Sequence, residues 1–176
     1  SLDVSSNTAL TELYCSNNQL TSLDVSNNTA LTRLMAYSNE LTSLDVSSNT
    51  ALTQLNCSQN QLTSLNVSSN TALTFLECRS NELTSLDVSS NTSLTGLHCW
   101  NNQLTALDVS SNTALTNLRC DDNELIHLNM KNGVTDQLVG FNATGNSFDC
   151  IEVNEEDVDW ATENWTYENG TIDEGV

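Results

Sequence analysis

Apolar residues in this chain return at a fixed interval. Between Leu10 and Ala30 they fall at Leu10, Leu13, Cys15, Leu20, Leu23 and Val25. The same set recurs every 21 residues, reopening at Leu31, Leu52, Leu73, Leu94 and Leu115. Leu13 and Cys15 alternate with Glu12, Tyr14 and Ser16. Such period-two alternation marks a half-buried strand, with Leu13 and Cys15 turned inward. It predicts equivalent strands at Leu34–Ala36, Leu55–Cys57, Leu76–Cys78, Leu97–Cys99 and Leu118–Cys120. Leu23 and Val25 flank Asp24 and predict a second extended segment in each coil. The SNNTA that follows is too short for a stable α-helix and predicts a turn or one 3₁₀ turn.

Self-similarity at this period means a solenoid, in which each coil packs only on its neighbours and none buries its apolar face alone. Just after each strand one slot is always asparagine: Asn18, Asn39, Asn60, Asn81, Asn102, Asn123 and Asn146. There the chain turns inward and leaves backbone groups without ladder partners. An amide both donates and accepts, so a stack of them is expected to bridge coil to coil.

The order L-x-x-L-x-C-x-x-N-x-L resembles the leucine-rich repeat family, with Cys in the third leucine slot. The resemblance covers residues 1 to about 153, in six or seven copies. It implies a horseshoe with strands on the concave side and short turns or 3₁₀ segments on the convex side. A parallel β-helix is the alternative fold; the asparagine slot and one strong strand per coil favour the horseshoe. The wording LTSLDVSSNTALT is similar to repeat modules in surface and secreted proteins of Bacteroidetes-type bacteria. This implies a non-catalytic binding module, extracellular or at the cell surface. Ser1 opens partway through a repeat, so the module is expected to belong to a larger multidomain protein.

The period slips after Met130, where two extra residues enter before Phe141, and then resumes through Ala143, Asn146 and Val153. Residues 154–176 predict an acidic cap on the last coil. Asn154 is placed as a helix N-cap ahead of Glu155, Glu156 and Asp157. Val153 and Val158 are placed as a hydrophobic staple. A short helix near 155–163 would lay Trp160 or Trp165 over the apolar end.

Charge narrows the partners. Four basic against 23 acidic residues give −19, a surface that repels nucleic acid and anionic lipid. No 18-residue apolar run exists, so no membrane insertion is expected. Six cysteines suggest disulfides, but Cys15, Cys57, Cys78, Cys99 and Cys120 share one inward slot, with Ala36 in the gap. Stacked side chains point the same way about 4.8 Å apart, too far for a disulfide. They are expected to be buried free thiols, with Cys150 outside the ladder. No C-x-x-C pair suggests zinc, and no cofactor or metal is expected. Asp3, Asp24, Asp45, Asn66, Asp87, Asp108 and Asn129 form a further column, expected to accept hydrogen bonds from the turn that follows rather than to hold calcium.

Comparing the repeats with one another isolates the candidate site. Inward slots barely change, whereas three outward strand columns change freely. They contain all three arginines and every aromatic outside the last coil and cap. The candidate ligand-binding residues are Tyr14, Arg33, Met35, Tyr37, Asn56, Phe75, Glu77, Arg79, His98, Trp100, Arg119 and Asp121. Rigid strands bearing Tyr, Trp and Arg describe a recognition surface. Arg79 is expected to stack on Trp100, Arg119 to lie beside His98, and carboxylates to remain open at the edge. The partner is expected to be a protein, or alternatively a polysaccharide gripped by the same aromatics. An enzyme is not expected, because no nucleophile or enclosed cleft accompanies His98.

Overall fold

The computed structural model describes residues 2–173. Its strands are β1 (Glu12–Tyr14), β2 (Arg33–Met35), β3 (Gln54–Asn56), β4 (Phe75–Glu77), β5 (Gly96–His98), β6 (Ala106–Asp108), β7 (Asn117–Arg119), β8 (His127–Asn129), β9 (Gly140–Asn142) and β10 (Cys150–Glu152), followed by a helix α1 (Val158–Asn164). Seven of them stack as one parallel sheet in the order β1-β2-β3-β4-β5-β7-β9. Its register follows the repeat, Leu13 opposite Leu34 and onward to Leu118 opposite Phe141. The two-residue slip before Phe141 is absorbed by a 3₁₀ turn at Thr135–Gln137.

The inward positions form one continuous core running through the coils. Leu34, Leu55, Leu76, Leu97 and Leu118 are wholly buried. Cys15, Cys57, Cys78, Cys99 and Cys120 are buried free thiols, and Cys150 alone is exposed. Desolvation raises the thiol pKa down the ladder, pushing Cys57 up to about 12. These groups stay protonated and behave as small hydrophobes.

Two polar ladders hold the coils in register. In the first, Asn39 Nδ2 donates to Ala36 O and to Cys15 O of the preceding coil, both at 3.1 Å, while its Oδ1 accepts Leu20 N–H at 3.1 Å. Asn60, Asn81, Asn102 and Asn123 repeat the pattern. The second ladder lies in the convex turns, where sequence reasoning placed no stacked amide. Asn28, Asn49, Asn70, Asn91 and Asn112 are wholly buried. Asn70 Nδ2 donates to Val46 O and Asn49 O, both at 2.9 Å, and the others do likewise. Those turns are successive i→i+3 bonds, Asn28 N to Val25 O and Leu31 N to Asn28 O, as the short SNNTA segment predicts.

Each coil also carries a left-handed residue just before the first asparagine slot. Asn17, Ser38, Gln59, Ser80, Asn101 and Asp122 have φ between 52° and 57°. The seventh coil has Gly145 there, at φ 69°.

The second extended segment expected in each coil pairs into a sheet only at the C-terminal end. β6, β8 and β10 form a second, three-stranded parallel sheet. It appears where the serine column Ser22, Ser43, Ser64 and Ser85 gives way to Ala106, His127 and Cys150.

Residues 154–173 fold over the last coil. A 3₁₀ turn at Glu155–Asp157 runs into α1. Asn154 is extended but makes no side-chain cap bond, so the expected N-cap hydrogen bond is absent. Val158, expected to staple onto Val153, is 47% exposed and lines the same surface pocket as Val153. The covering ring is Trp165, buried with its centroid 4.3 Å from Phe141, while Trp160 meets it edge-on at 6.2 Å. The open edge of β9 is met by Thr171 O, which accepts Ala143 N–H at 2.8 Å. Asp173 accepts the N–H groups of Gly145 and Asn146.

Candidate ligand-binding face

The outward residues of β1 to β5 and β7 share one face because successive side chains on a strand point to opposite sides. Strand register then fixes the neighbours. Glu77 lies opposite Asn56 and His98, and His98 lies opposite Arg119.

At the centre is Trp100, just past β5. The Arg79 guanidinium, one coil before, lies 4.9 Å from its ring centroid. The Arg119 guanidinium, one coil after, lies 5.1 Å away. Register alone places Arg119 beside His98; its length carries it on to the indole. Each arginine is held by a carboxylate. Arg79 Nε donates to Glu77 Oε1 at 2.7 Å, and Glu77 Oε2 accepts Asn56 Nδ2 at 2.8 Å. Arg119 binds Asp121 through Nε at 3.1 Å and a second nitrogen at 2.9 Å. Asp121 is only 4% exposed, so it is a clamp on Arg119 rather than the open edge carboxylate expected from sequence. Paired and half-buried charges of this kind keep long side chains in one geometry.

Phe75 and His98 extend the patch, their rings edge-to-face with centroids 5.1 Å apart. Two residues that sequence reasoning passed over make this possible. Gly96 gives Phe75 its space, since a Cβ there would meet the ring at 2.6 Å. Asn117 Oδ1 lies 2.9 Å from His98 Nε2 and orients the imidazole. Both stand in the same variable column as Phe75, but neither is charged nor aromatic, so composition did not mark them.

Tyr14, Arg33, Met35 and Tyr37 form a separate patch at the first two coils. Tyr14 is 60% exposed, its hydroxyl donating to Glu12 at 2.9 Å and accepting from Arg33 at 2.8 Å. That hydrogen bond holds Arg33 further toward its charged form. The candidate residues thus fall into two groups, four on β1 and β2 and their flanks, and eight around Trp100.

The opposite column makes the expected turn hydrogen bonds. Asp3, Asp24, Asp45, Asn66, Asp87, Asp108 and Asn129 each accept the N–H two residues on, at 2.8–3.1 Å. The hydroxyl and then the N–H of the following serine lower the pKa of Asp3, Asp24, Asp45 and Asp87.

A parallel-sheet solenoid of about seven turns, carrying a 21-residue repeat with an asparagine in each coil, defines a class: the fold is that of the leucine-rich repeat proteins. Among solved structures the chain is similar to the functional domain of InlJ from Listeria monocytogenes, which includes a cysteine ladder. Identity is 43% and the TM-score 0.82, over 86% of this chain and 34% of that one. Internalin C2 of the same organism matches with 20% identity and a TM-score of 0.72, over 86% of this chain and 74% of that one. Internalin F matches with 25% identity and a TM-score of 0.69, over 87% and 50%. The chain therefore spans about a third of the InlJ chain and half of the internalin F chain. No family pattern matches it, and no curated protein does. Among the described residues no helix is long and apolar enough to cross a membrane.

Proposed function

We propose that the chain is a non-catalytic recognition module that binds a protein partner through the outward face of β4, β5 and β7. The observation that carries this reading is Trp100 held by two arginines, each fixed by its own carboxylate. Rigid aromatic area gives affinity at small entropic cost, and fixed charges orient the partner. The same geometry disfavours a sugar. A pyranose stacking on Trp100 has to displace a guanidinium that already covers the ring. Polysaccharide binding is the second reading, and it is favoured only at Tyr14, whose ring is mostly open. The likeness to internalins and the wording of the repeat support a place at the cell surface or outside the cell, within a longer protein.

The test is a screen of the purified chain against an array of extracellular proteins, with a glycan array in parallel. For a protein ligand so found, Trp100→Ala is expected to weaken binding by about 2 kcal/mol or more. Ser89→Ala, in the turn after Asp87 on the opposite side, is expected to bind as the parent. If Trp100→Ala and Arg79→Ala bind normally while turn-side changes abolish binding, the site lies elsewhere. A glycan ligand lost with Tyr14→Ala instead establishes the second reading.

A further inference from the structure

The second sheet carries His127 and Cys150 in a column that is otherwise serine or alanine, and Glu152 at the end of the Asp/Asn column. Its first column runs Ser22, Ser43, Ser64, Ser85, Ala106 and then His127 and Cys150. Parallel pairing sets Cys150 beside His127 and Glu152 beside Asn129. Cys150 Sγ lies 3.8 Å from His127 Nδ1, and His127 Nε2 lies 3.6 Å from Glu152 Oε1. One ligand atom from each of the three residues falls within 4.8 Å of the others, and no second group of this kind occurs among the described residues. Cys150 is also the one exposed thiol, so the ladder below does not compete for a metal.

The donor set is selective. A thiolate and an imidazole suit zinc and its first-row neighbours, whereas calcium and magnesium take oxygen ligands. Tetrahedral zinc, about 2.3 Å from sulfur and 2.0–2.1 Å from nitrogen, sets those two atoms about 3.5 Å apart. The Cys150–His127 separation is already close to that. Lys131 Nζ pairs with Glu152 Oε2, and Oε1 faces His127 Nε2, the ring nitrogen opposite the one beside Cys150, so the carboxylate turns to join an ion held by Cys150 Sγ and His127 Nδ1. An outer partner that fixes a ligating carboxylate is a usual part of a metal site. Asp108, on the flanking strand β6, is near enough to interact with both His127 and Glu152, and adds negative potential.

We propose that His127, Cys150 and Glu152 bind one zinc-class divalent cation, with water completing the shell. The ion bridges β8 and β10 and ties the last coil to the one before it. This rests on the second sheet alone and is independent of the reading of Trp100.

The test uses the intact chain, kept reduced with a phosphine, and cobalt(II) as a reporter. Stoichiometric cobalt is expected to give the sulfur-to-metal charge-transfer band of a tetrahedral thiolate site, bleached by zinc. Cys150→Ser is expected to abolish the band and His127→Ala to shift or remove it. Each is expected to weaken zinc binding by about tenfold or more in calorimetry. Zinc is expected to raise the melting temperature of the parent but not of Cys150→Ser, whose circular dichroism checks its fold. Asp45→Asn, several coils away, is expected to change none of this. Absence of the band at saturating cobalt overturns the proposal. So does zinc affinity that is equal in parent and Cys150→Ser, since scattered surface carboxylates then take the metal.

Discussion

On the turn side of the coils, Asn28, Asn49, Asn70, Asn91 and Asn112 repeat without change, and each makes the same pair of hydrogen bonds to carbonyls. On the sheet face, the outward columns share almost no residue from coil to coil. The contrast has a physical cause. A buried carbonyl left without a donor costs free energy in every coil alike, so one solution serves all. An outward strand residue meets solvent and its neighbours only, so the fold admits almost any residue there. Here those positions hold all three arginines of a chain whose net charge is −19.

The sharpest way to break the comparison is to exchange the roles. Asn81 is the hub for Leu62 N–H and for the carbonyls of Cys57 and Cys78. Asn81→Ala is expected to cost about 2–5 kcal/mol of stability, read by chemical denaturation. A loss below about 0.5 kcal/mol counts against the ladder, since that is the scale of an ordinary surface change. Gly96→Val sits on the border between the two classes. It pushes Phe75 off its contact with His98 and is expected to cost about 1 kcal/mol of stability while weakening the partner.

The smallest effect is expected at Asp87, and it is a pH effect. The folded-state pKa is lowered, so the carboxylate contributes stability above its unfolded pKa of about 3.9. That contribution is lost as pH falls through the lower, folded value. Asn66 and Asn129 make the same turn bond without a charge. Asp87→Asn keeps the turn bond but not the charge, so it is expected to lower neutral-pH stability only slightly and to flatten the acid limb of a melting-temperature profile. A large loss at neutral pH contradicts the Asx-turn account.

Much of this is legible in the sequence. Hydrophobic alternation located β1 to β5 and β7, and a shared inward slot separated the five ladder thiols from Cys150. The first asparagine ladder follows from a slot adjoining a strand. The second did not, because asparagine in a turn also reads as local turn chemistry. A turn has no side-chain period to say which way Asn70 points. Long side chains were the other limit. Register pairs Arg119 with His98, yet the guanidinium reaches Trp100 and Asp121. Asp121 is drawn under it and buried, which no column comparison reveals. At the C-terminal end the helix lies one residue from its expected end, but Asn154 makes no cap bond and Val158 stays half-exposed.

Amide hydrogen exchange on the free and partner-bound chain tests the division most directly. The account expects new protection at β4, β5, β7 and the segment around Trp100, and unchanged exchange in the turns of the Asn70 ladder. Protection confined to those turns, with β4, β5 and β7 exchanging as in the free protein, would contradict it.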